Sequence, residues 1–446
     1  MSRLFGTDGV RGIANEDLTL ELAARLGEAA ATLLCREGRG RIVIGKDTRI
    51  SGDMLEAALV AGACAAGCNV LLAGVVPTPA VALLVRELGA DAGVVISASH
   101  NPAAYNGIKF FDANGSKLSD EVEDSLEALV LADDRGPRPT GAGIGAVSVI
   151  DDAVERYVAH AVATVSGRLD GLKVALDCGH GAASRTSAAA FTALGAEVVA
   201  INCDWNGIDI NLESGSTHLG PVTALVRASG ADIGIAHDGD ADRTLAVDAR
   251  GGVVDGDGIM AICAAQLHAE GALAADTIVG TVMTNLGFDA AMREIGVRVV
   301  KAQVGDRYVL EEMRRTGAVL GGEQSGHVIF LAHSTTGDGL ITALQLAHAV
   351  VAARRPLSEL ASAVTPFPQV LLNVRVDGPA HIAVHPELLA MVAAEEAALG
   401  DTGRVLVRAS GTEPLVRVMV EARDADVARD TAGLLAAEVE RLAASV

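Results

Sequence analysis

Three separated stretches of the chain repeat one plan: a β-branched run, a loop of glycine or polar residues, a helical stretch, then glycine and a second apolar run. RIVIGKD leads through an alanine-rich segment to AGCNVLLAG, LKVALDCGHG leads to LGAEVVAIN, and DTIVGTVMTN leads to IGVRVVKAQ. Strands that alternate with helices in this way form βαβ units with a largely parallel sheet. The chain has 446 residues, more than one hydrophobic core supports, and ~150 residues per domain gives about three or four units. The expected fold class is α/β: three α/β/α domains with mixed, largely parallel sheets, and a smaller C-terminal α+β domain.

Boundaries follow from punctuation. The Gly/Pro stretch ADDRGPRPTGAGIGA (132–146) reads as a surface excursion, followed by a helix from Asp151. A break near Asp255 follows from the position of the third repeat, and Pro366-Phe367-Pro368 reads as a hinge. Beyond it QVLLNVRVD, RVLVRAS and LVRVMVEA alternate like half-exposed strands, and GLLAAEVERLA reads as a closing helix. The expected domains are 1–150, 151–255, 256–366 and 367–446.

Half the residues are apolar but only 2% are aromatic, so the interior must be built from Ala, Val, Leu and Ile. A sugar site in such a chain has few rings to stack on and must work through hydrogen bonds. The net charge of -22 repels nucleic acid and anionic lipid, which excludes both as expected partners. A phosphate-bearing ligand must be met by locally concentrated Arg, Lys, backbone N–H groups or a metal ion. The six cysteines include no C-x-x-C pair and read as small buried hydrophobes in a reducing compartment. The start MSRLFGTDGVRG lacks the apolar core of a signal peptide, so a cytoplasmic location is expected. Residues 57–76 are apolar enough to raise a membrane span, but they divide at Gly67-Cys68-Asn69 into an expected helix and strand, and Pro77 and Pro79 follow.

Four islands carry chemistry. In VVISASHNPAAYNGIK a greasy strand gives way to Ser99, His100, Asn101 and Pro102, with Lys109 beyond. A turn accounts for Ser and Asn-Pro, but not for the histidine or the lysine. In ADIGIAHDGDADRTLAVD, Asp238, Asp240 and Asp242 occupy alternate positions. An extended backbone would put them on one face, where their repulsion calls for a cation. An EF-hand is excluded because its sixth and twelfth positions are Arg243 and Ala249; a hard ion such as Mg²⁺ remains. Asp240, Asp242 and Thr244 also fit the D-x-D-x-T pattern of phosphatases with an aspartyl nucleophile, a rival that leaves Ser99, His100 and Lys109 without a role.

The third island, LGGEQSGHVIF, sets Glu323, Ser325 and His327 among glycines. Glu and Ser offer an acceptor and a donor suited to sugar hydroxyls, and glycines let the backbone come close. The fourth, VRASGTEPLVR, gathers Arg408, Ser410, Gly411, Thr412 and Arg417 around a turn, a nest suited to a phosphate dianion. A hydroxyl nucleophile, a metal cluster, a sugar loop and an anion nest in four successive domains imply four domains around a central cleft. Two phosphate positions suit a phosphosugar whose phosphate moves between two hydroxyls.

At SASHNP, DGDADR, GEQSG and RASGTEP, in this order and over essentially the whole length, the sequence resembles the α-D-phosphohexomutase superfamily. FGTDGVRG, NGIKFF, VGDRYV and TTGDG resemble its branch acting on glucosamine phosphate. The resemblance implies that Ser99 is a phosphoserine whose phosphate, with Asp238, Asp240 and Asp242, holds Mg²⁺. It implies that Glu323 and Ser325 grip sugar hydroxyls and that Arg408, Ser410, Gly411 and Thr412 bind the non-reacting phosphate. Arg11, His100, Lys109 and Arg243 would surround the transferring group.

The implied activity interconverts glucosamine 6-phosphate and glucosamine 1-phosphate for amino-sugar nucleotide and cell-wall precursor synthesis. A glucosamine (or glucose) 1,6-bisphosphate would serve as intermediate and activator, and a monomer or homodimer is expected. A mannose- or glucose-phosphate mutase, the aspartyl phosphatase and a phosphosugar-binding sensor without turnover are the alternatives.

Overall fold

The computed structural model describes residues 3–6, 8–35, 40–132, 138–410 and 414–444. They form two compact units, 1–283 with 295–363, and 284–294 with 364–446. The first sheet of the larger unit has six strands, β1 (Val10–Ile13), β2 (Arg41–Lys46), β3 (Asn69–Val75), β4 (Ala92–Ile96), β5 (Tyr105–Phe111) and β6 (Val147–Val149), in the order β1-β5-β4-β2-β3-β6. Strands β2, β3, β4 and β6 run parallel, and β5 is antiparallel to both β4 and β1. Helices Leu20–Leu34, Ser51–Ala65 and Asp120–Leu131 close one face over Leu26, Ile42, Ile44, Leu55, Leu59, Val94, Ile108 and Leu126, none of which reaches solvent.

Alanine favours the helix Ser51–Ala65 over any extended alternative, and β3 begins at Asn69, so the apolar run 57–76 divides at the anticipated place. Among the described residues no helix is long and apolar enough to cross a membrane. The Gly/Pro excursion ends in β6, which extends the sheet beyond β3, and the helix after it spans Ala153–Ala163; residues 133–137 lie outside the described residues.

The second sheet contains β7 (Lys173–Asp177), β8 (Glu197–Ile201), β9 (Ile233–His237), β10 (Thr244–Asp248) and β11 (Val253–Val254), in the order β11-β10-β9-β7-β8. β7 is parallel to β8 and β9, and β9-β10 is an antiparallel hairpin. The third contains β12 (Thr277–Thr281), β13 (Arg298–Ala302), β14 (Leu320–Gly322) and β15 (Val328–Phe330), with β12 parallel to β13 and β14 and a β14-β15 hairpin. All three repeats are thus parallel βαβ units. Their sheets are mixed because each carries antiparallel strands at one side, where hairpins replace crossovers.

The smaller unit is a three-stranded antiparallel sheet, β16 (Gln369–Arg375), β17 (Gly403–Ala409) and β18 (Leu415–Ala422), in the order β16-β18-β17, with the helix Ala425–Ala443 against it. The segment 284–294, which in sequence lies inside the third repeat, belongs to this unit. Asn285 donates to the Phe367 carbonyl at 3.0 Å and to Glu421 at 3.3 Å. The cysteines depart from the sequence expectation. Cys68, Cys178 and Cys263 are buried, but Cys35, Cys64 and Cys203 are only half-buried.

Candidate active site

All five residues of β4 are buried, and the chain leaves the sheet through Ser97 and Ala98. Ser99 follows at φ 52°, with 1% of its surface exposed. A left-handed non-glycine residue costs about 1–3 kcal/mol and persists only where its surroundings over-determine it. Its Oγ donates to Asp238 Oδ2 at 2.6 Å and lies 3.5 Å from His100 Nδ1, and its N–H donates to Ser97 Oγ at 2.9 Å.

The acidic island is not extended. Residues 238–243 form the turn of the β9-β10 hairpin, with Ala241 left-handed at φ 54°. The carboxylates converge because the turn curls around them, not because a strand alternates. Each of Asp238, Asp240 and Asp242 is buried and offers one oxygen, and the three oxygens lie within 4.8 Å of one another. Asp240 Oδ2 accepts from Lys109 Nζ at 2.8 Å and from Thr78 Oγ1 at 2.6 Å. Burial alone would raise the Asp240 carboxyl, but Lys109 and Thr78 overcome it and hold the group ionised. Burial, then repulsion from Asp242 and Asp240, pushes Asp238 well above the ordinary carboxylate range.

Asp240 Oδ1 and Asp242 Oδ1 are buried without a hydrogen-bond partner. Orphaned acceptors in a set made only of hard oxygen donors are what a Mg²⁺ ion needs, so these residues fit the ion.

Lys109 also reaches Asp8 Oδ2 at 2.9 Å, and Asp8 pairs with Arg11 and Lys117. Lys117 in turn pairs with Asp306, whose Oδ2 lies 3.5 Å from His327 Nε2. An alternating chain of charges thus runs from the carboxylate cluster through the N-terminal loop to the third domain. Burial opposes ionisation of Asp8, but Lys109, Lys117 and Arg11 hold it well below the usual range. Arg243 stacks further charge here, with Nη1 at 3.4 Å from His100 Nδ1 and Nε at 3.7 Å from Asp242 Oδ1. Burial, then the charges of Arg243 and Arg11, lower the His100 pKa. Sequence reasoning assigned no role to Asp8, Lys117 or Asp306; the FGTDGVRG and VGDRYV motifs contain Asp8 and Asp306, and no motif contains Lys117.

Glu323 and Ser325 occupy the β14-β15 turn. Glu323 Oε1 accepts from Gly305 N at 2.9 Å, and Oε2 accepts from Ser325 Oγ at 3.3 Å. The turn presses on β10, where Thr244 N donates to Gly326 O at 3.1 Å. A Cβ at Gly326, which has φ +91°, would lie 2.2 Å from Thr244 O, so only glycine fits. A cavity of about 520 Å³ opens between these elements, lined by Arg11, His100, Asp242, Arg243, Glu323 and His327 among others.

The structure brings together Ser99, His100, Lys109, Arg11, Arg243, the three aspartates, Glu323 and Ser325. Arg408 and Arg417 belong to the smaller unit, where they are cross-strand partners on β17 and β18, and Ser410 N donates to Leu415 O at 2.9 Å. Gly411 and Thr412 lie outside the described residues.

Four domain models of the phosphoglucomutase/phosphomannomutase family match the chain: domain I over 2–136, domain II over 155–252, domain III over 255–367 and the C-terminal domain over 371–438. A phosphoglucosamine mutase of Rhodococcus opacus is 55% identical over 98% of this chain and 99% of the relative. A phosphoglucomutase/phosphomannomutase family protein of Burkholderia thailandensis superposes with a TM-score of 0.84 at 25% identity, covering 99% and 98% of the two chains. An Aspergillus fumigatus N-acetylphosphoglucosamine mutase, solved with GlcNAc-6P and magnesium, shares the fold at a TM-score of 0.67 and 18% identity over 99% and 96%. With all four of its domains matched in order and a full-length relative at more than half identity, the chain belongs to the phosphoglucomutase/phosphomannomutase family.

Proposed function

We propose that the chain interconverts glucosamine 6-phosphate and glucosamine 1-phosphate, with Ser99 carrying the phosphoryl group. The observation that carries this reading is a serine hydroxyl hydrogen-bonded at 2.6 Å to a buried carboxylate cluster, in a chain 55% identical to a phosphoglucosamine mutase. Ser99 Oγ gives its phosphoryl group to O1 of the 6-phosphate; the P–Oγ bond breaks as the P–O1 bond forms. The proton lost from O1 is matched by one gained at Oγ, with the His100 imidazole 3.5 Å away. The 1,6-bisphosphate turns over in the cavity, and its 6-phosphoryl group returns to Ser99, leaving the 1-phosphate.

Such transfers need little beyond positioning and charge neutralisation. Asp238, Asp240 and Asp242 would hold Mg²⁺, which supplies neutralisation of phosphoryl charge when bound. Lys109, Arg11 and Arg243 contribute fixed positive charge, while Glu323 and Ser325 offer acceptor and donor to sugar hydroxyls. Arg408, Ser410, Gly411, Thr412 and Arg417 would hold the distal phosphate. We assign these roles to the domains 1–150, 151–255, 256–366 and 367–446, and place the enzyme in the cytoplasm as a monomer or homodimer.

The aspartyl-phosphatase reading is disfavoured by one observation. Thr244, the third member of its D-x-D-x-T pattern, is fully buried, and its Oγ1 donates to Ala236 O at 3.3 Å within its own sheet, so it offers nothing to a phosphoryl group. Ser99→Ala separates the readings: turnover of glucosamine 6-phosphate should vanish while the melting temperature is retained. Intact-mass mapping after incubation with glucose 1,6-bisphosphate should put one hydroxylamine-resistant phosphoryl group on Ser99. A modification on an aspartate, or activity surviving in Ser99→Ala, ends the proposal.

A further inference from the structure

Arg49 is 2% exposed, and all five of its guanidinium N–H donors are used. Nη2 donates to Ser99 O at 3.0 Å and Asn101 O at 2.7 Å, Nη1 to Pro102 O at 2.5 Å and Tyr105 O at 2.9 Å, and Nε to Asp47 Oδ2 at 2.9 Å. Asp47 Oδ2 also accepts from Ser97 Oγ at 2.5 Å, and Ser97 Oγ accepts from Ser99 N at 2.9 Å. From the second domain, Asn211 Nδ2 donates to Ser99 O at 2.9 Å and Asn101 O at 3.2 Å. Both sides of the Ser99 residue are therefore gripped through the main chain, and none of these bonds touches Oγ.

We propose that Arg49, with Asp47 and Asn211, is a positioning device that fixes Ser99 in its left-handed conformation independently of what Oγ carries. The inference rests on the reaction proposed above, in which Oγ is alternately a hydroxyl and a phosphate ester. Phosphorylation adds nearly two negative charges and removes the hydrogen that Oγ donates to Asp238. A loop shaped by Oγ contacts would shift between the two states. A loop held by its carbonyls keeps the same attack point for both transfers. Arg49 acts here by shape and not by charge, because Asp47 neutralises it within the same buried pair.

That distinction makes Arg49→Lys the informative variant. Lysine keeps the charge and can pair with Asp47, but its ammonium cannot span four carbonyls as the planar fork does. Asn211 has φ 59°, so Asn211→Gly removes the second clamp without backbone cost. Dephosphorylated wild type, Arg49→Lys and Asn211→Gly would each be mixed with glucose 1,6-bisphosphate and Mg²⁺, quenched, and followed by intact mass. Steady-state kcat and KM for glucosamine 6-phosphate and the melting temperature would be measured alongside.

Phosphoryl uptake should slow about 100-fold in Arg49→Lys and about 10-fold in Asn211→Gly, the scale of an ångström-level misplacement. KM should stay within about threefold. Uptake by folded Arg49→Lys within about threefold of wild type overturns the proposal, as does a loss of KM in step with kcat. If Arg49→Lys does not fold, wild-type uptake by Asn211→Gly overturns it, and slowed uptake supports it. Absence of uptake in wild type instead overturns the reaction itself, and with it the reason for holding Ser99.

Discussion

Lys109 and Asp240 form an ion pair at 2.8 Å in which the two side chains keep only 2% and 0% of their exposure. One lies on β5 and the other in the hairpin turn of the second domain, so the pair joins two domains at the point where Ser99 meets the aspartates. Removing one partner of such a pair leaves a buried charge uncompensated. Lys109→Met should lower stability by about 3–5 kcal/mol in urea unfolding. Saturating Mg²⁺ should recover part of that loss, because a cation at the cluster faces the same carboxylate. An unchanged midpoint, or a loss indifferent to Mg²⁺, contradicts the assigned electrostatics.

The orphaned Oδ1 atoms of Asp240 and Asp242 make metal binding a stability experiment. Chelator-treated wild type should gain about 2.7 kcal/mol at Mg²⁺ one hundred times its Kd, by mass action on the folded state. Asp242→Asn should lose most of this gain while folding normally without metal. Equal Mg²⁺-dependent shifts in both proteins would move the ion elsewhere.

Gly326 has no room for a side chain. A Cβ there would sit 2.2 Å from Thr244 O at a φ of +91°, so Gly326→Ala must displace the turn carrying Glu323 and Ser325. Catalytic efficiency towards glucosamine 6-phosphate should fall about 100-fold, with uptake of phosphoryl onto Ser99 less affected than KM. Unaltered KM would mean that the turn does not read the sugar.

Asp338 caps the helix Gly339–Ala353, accepting from Ile341 N at 2.9 Å and from Tyr157 OH at 2.7 Å. Burial raises its carboxyl to about 6 against an ordinary 3.8, and the hydrogen bonds from Ile341 and Tyr157 only partly offset this. The folded protein binds this proton more tightly than the unfolded chain. Its contribution to stability is therefore complete below about pH 4 and is lost as pH rises through about 6. Asp338→Asn keeps a cap without the charge. Its stability should exceed that of wild type by roughly 3 kcal/mol at pH 7.5 and match it near pH 4. A gap independent of pH would show that the carboxyl is not strained by burial.

The βαβ repeats were legible because buried parallel strands demand β-branched runs, and connections between them demand glycine and polar caps. The four chemical islands were legible for a related reason: serine, aspartate and histidine at the ends of greasy strands have no packing role. The convergence of Asp238, Asp240 and Asp242 was anticipated with the wrong geometry, since spacing of two suits a strand and a curled turn equally well. Arg49 and Asp8 were not legible. Each acts on residues tens of positions away, such as Ser99 and Lys117, through backbone carbonyls and ion pairs that leave no local pattern.

Local chemistry thus determined the strands, the helices, the domain order and the inventory of reactive groups, because each depends on residues near one another in the chain. Only the tertiary structure decided that Ser99 points at Asp238, that Lys109 neutralises Asp240, and that residues 284–294 pack with the C-terminal sheet. Such pairings depend on how sheets and loops meet in space, where burial makes an unpaired charge or carbonyl too costly to leave without a partner.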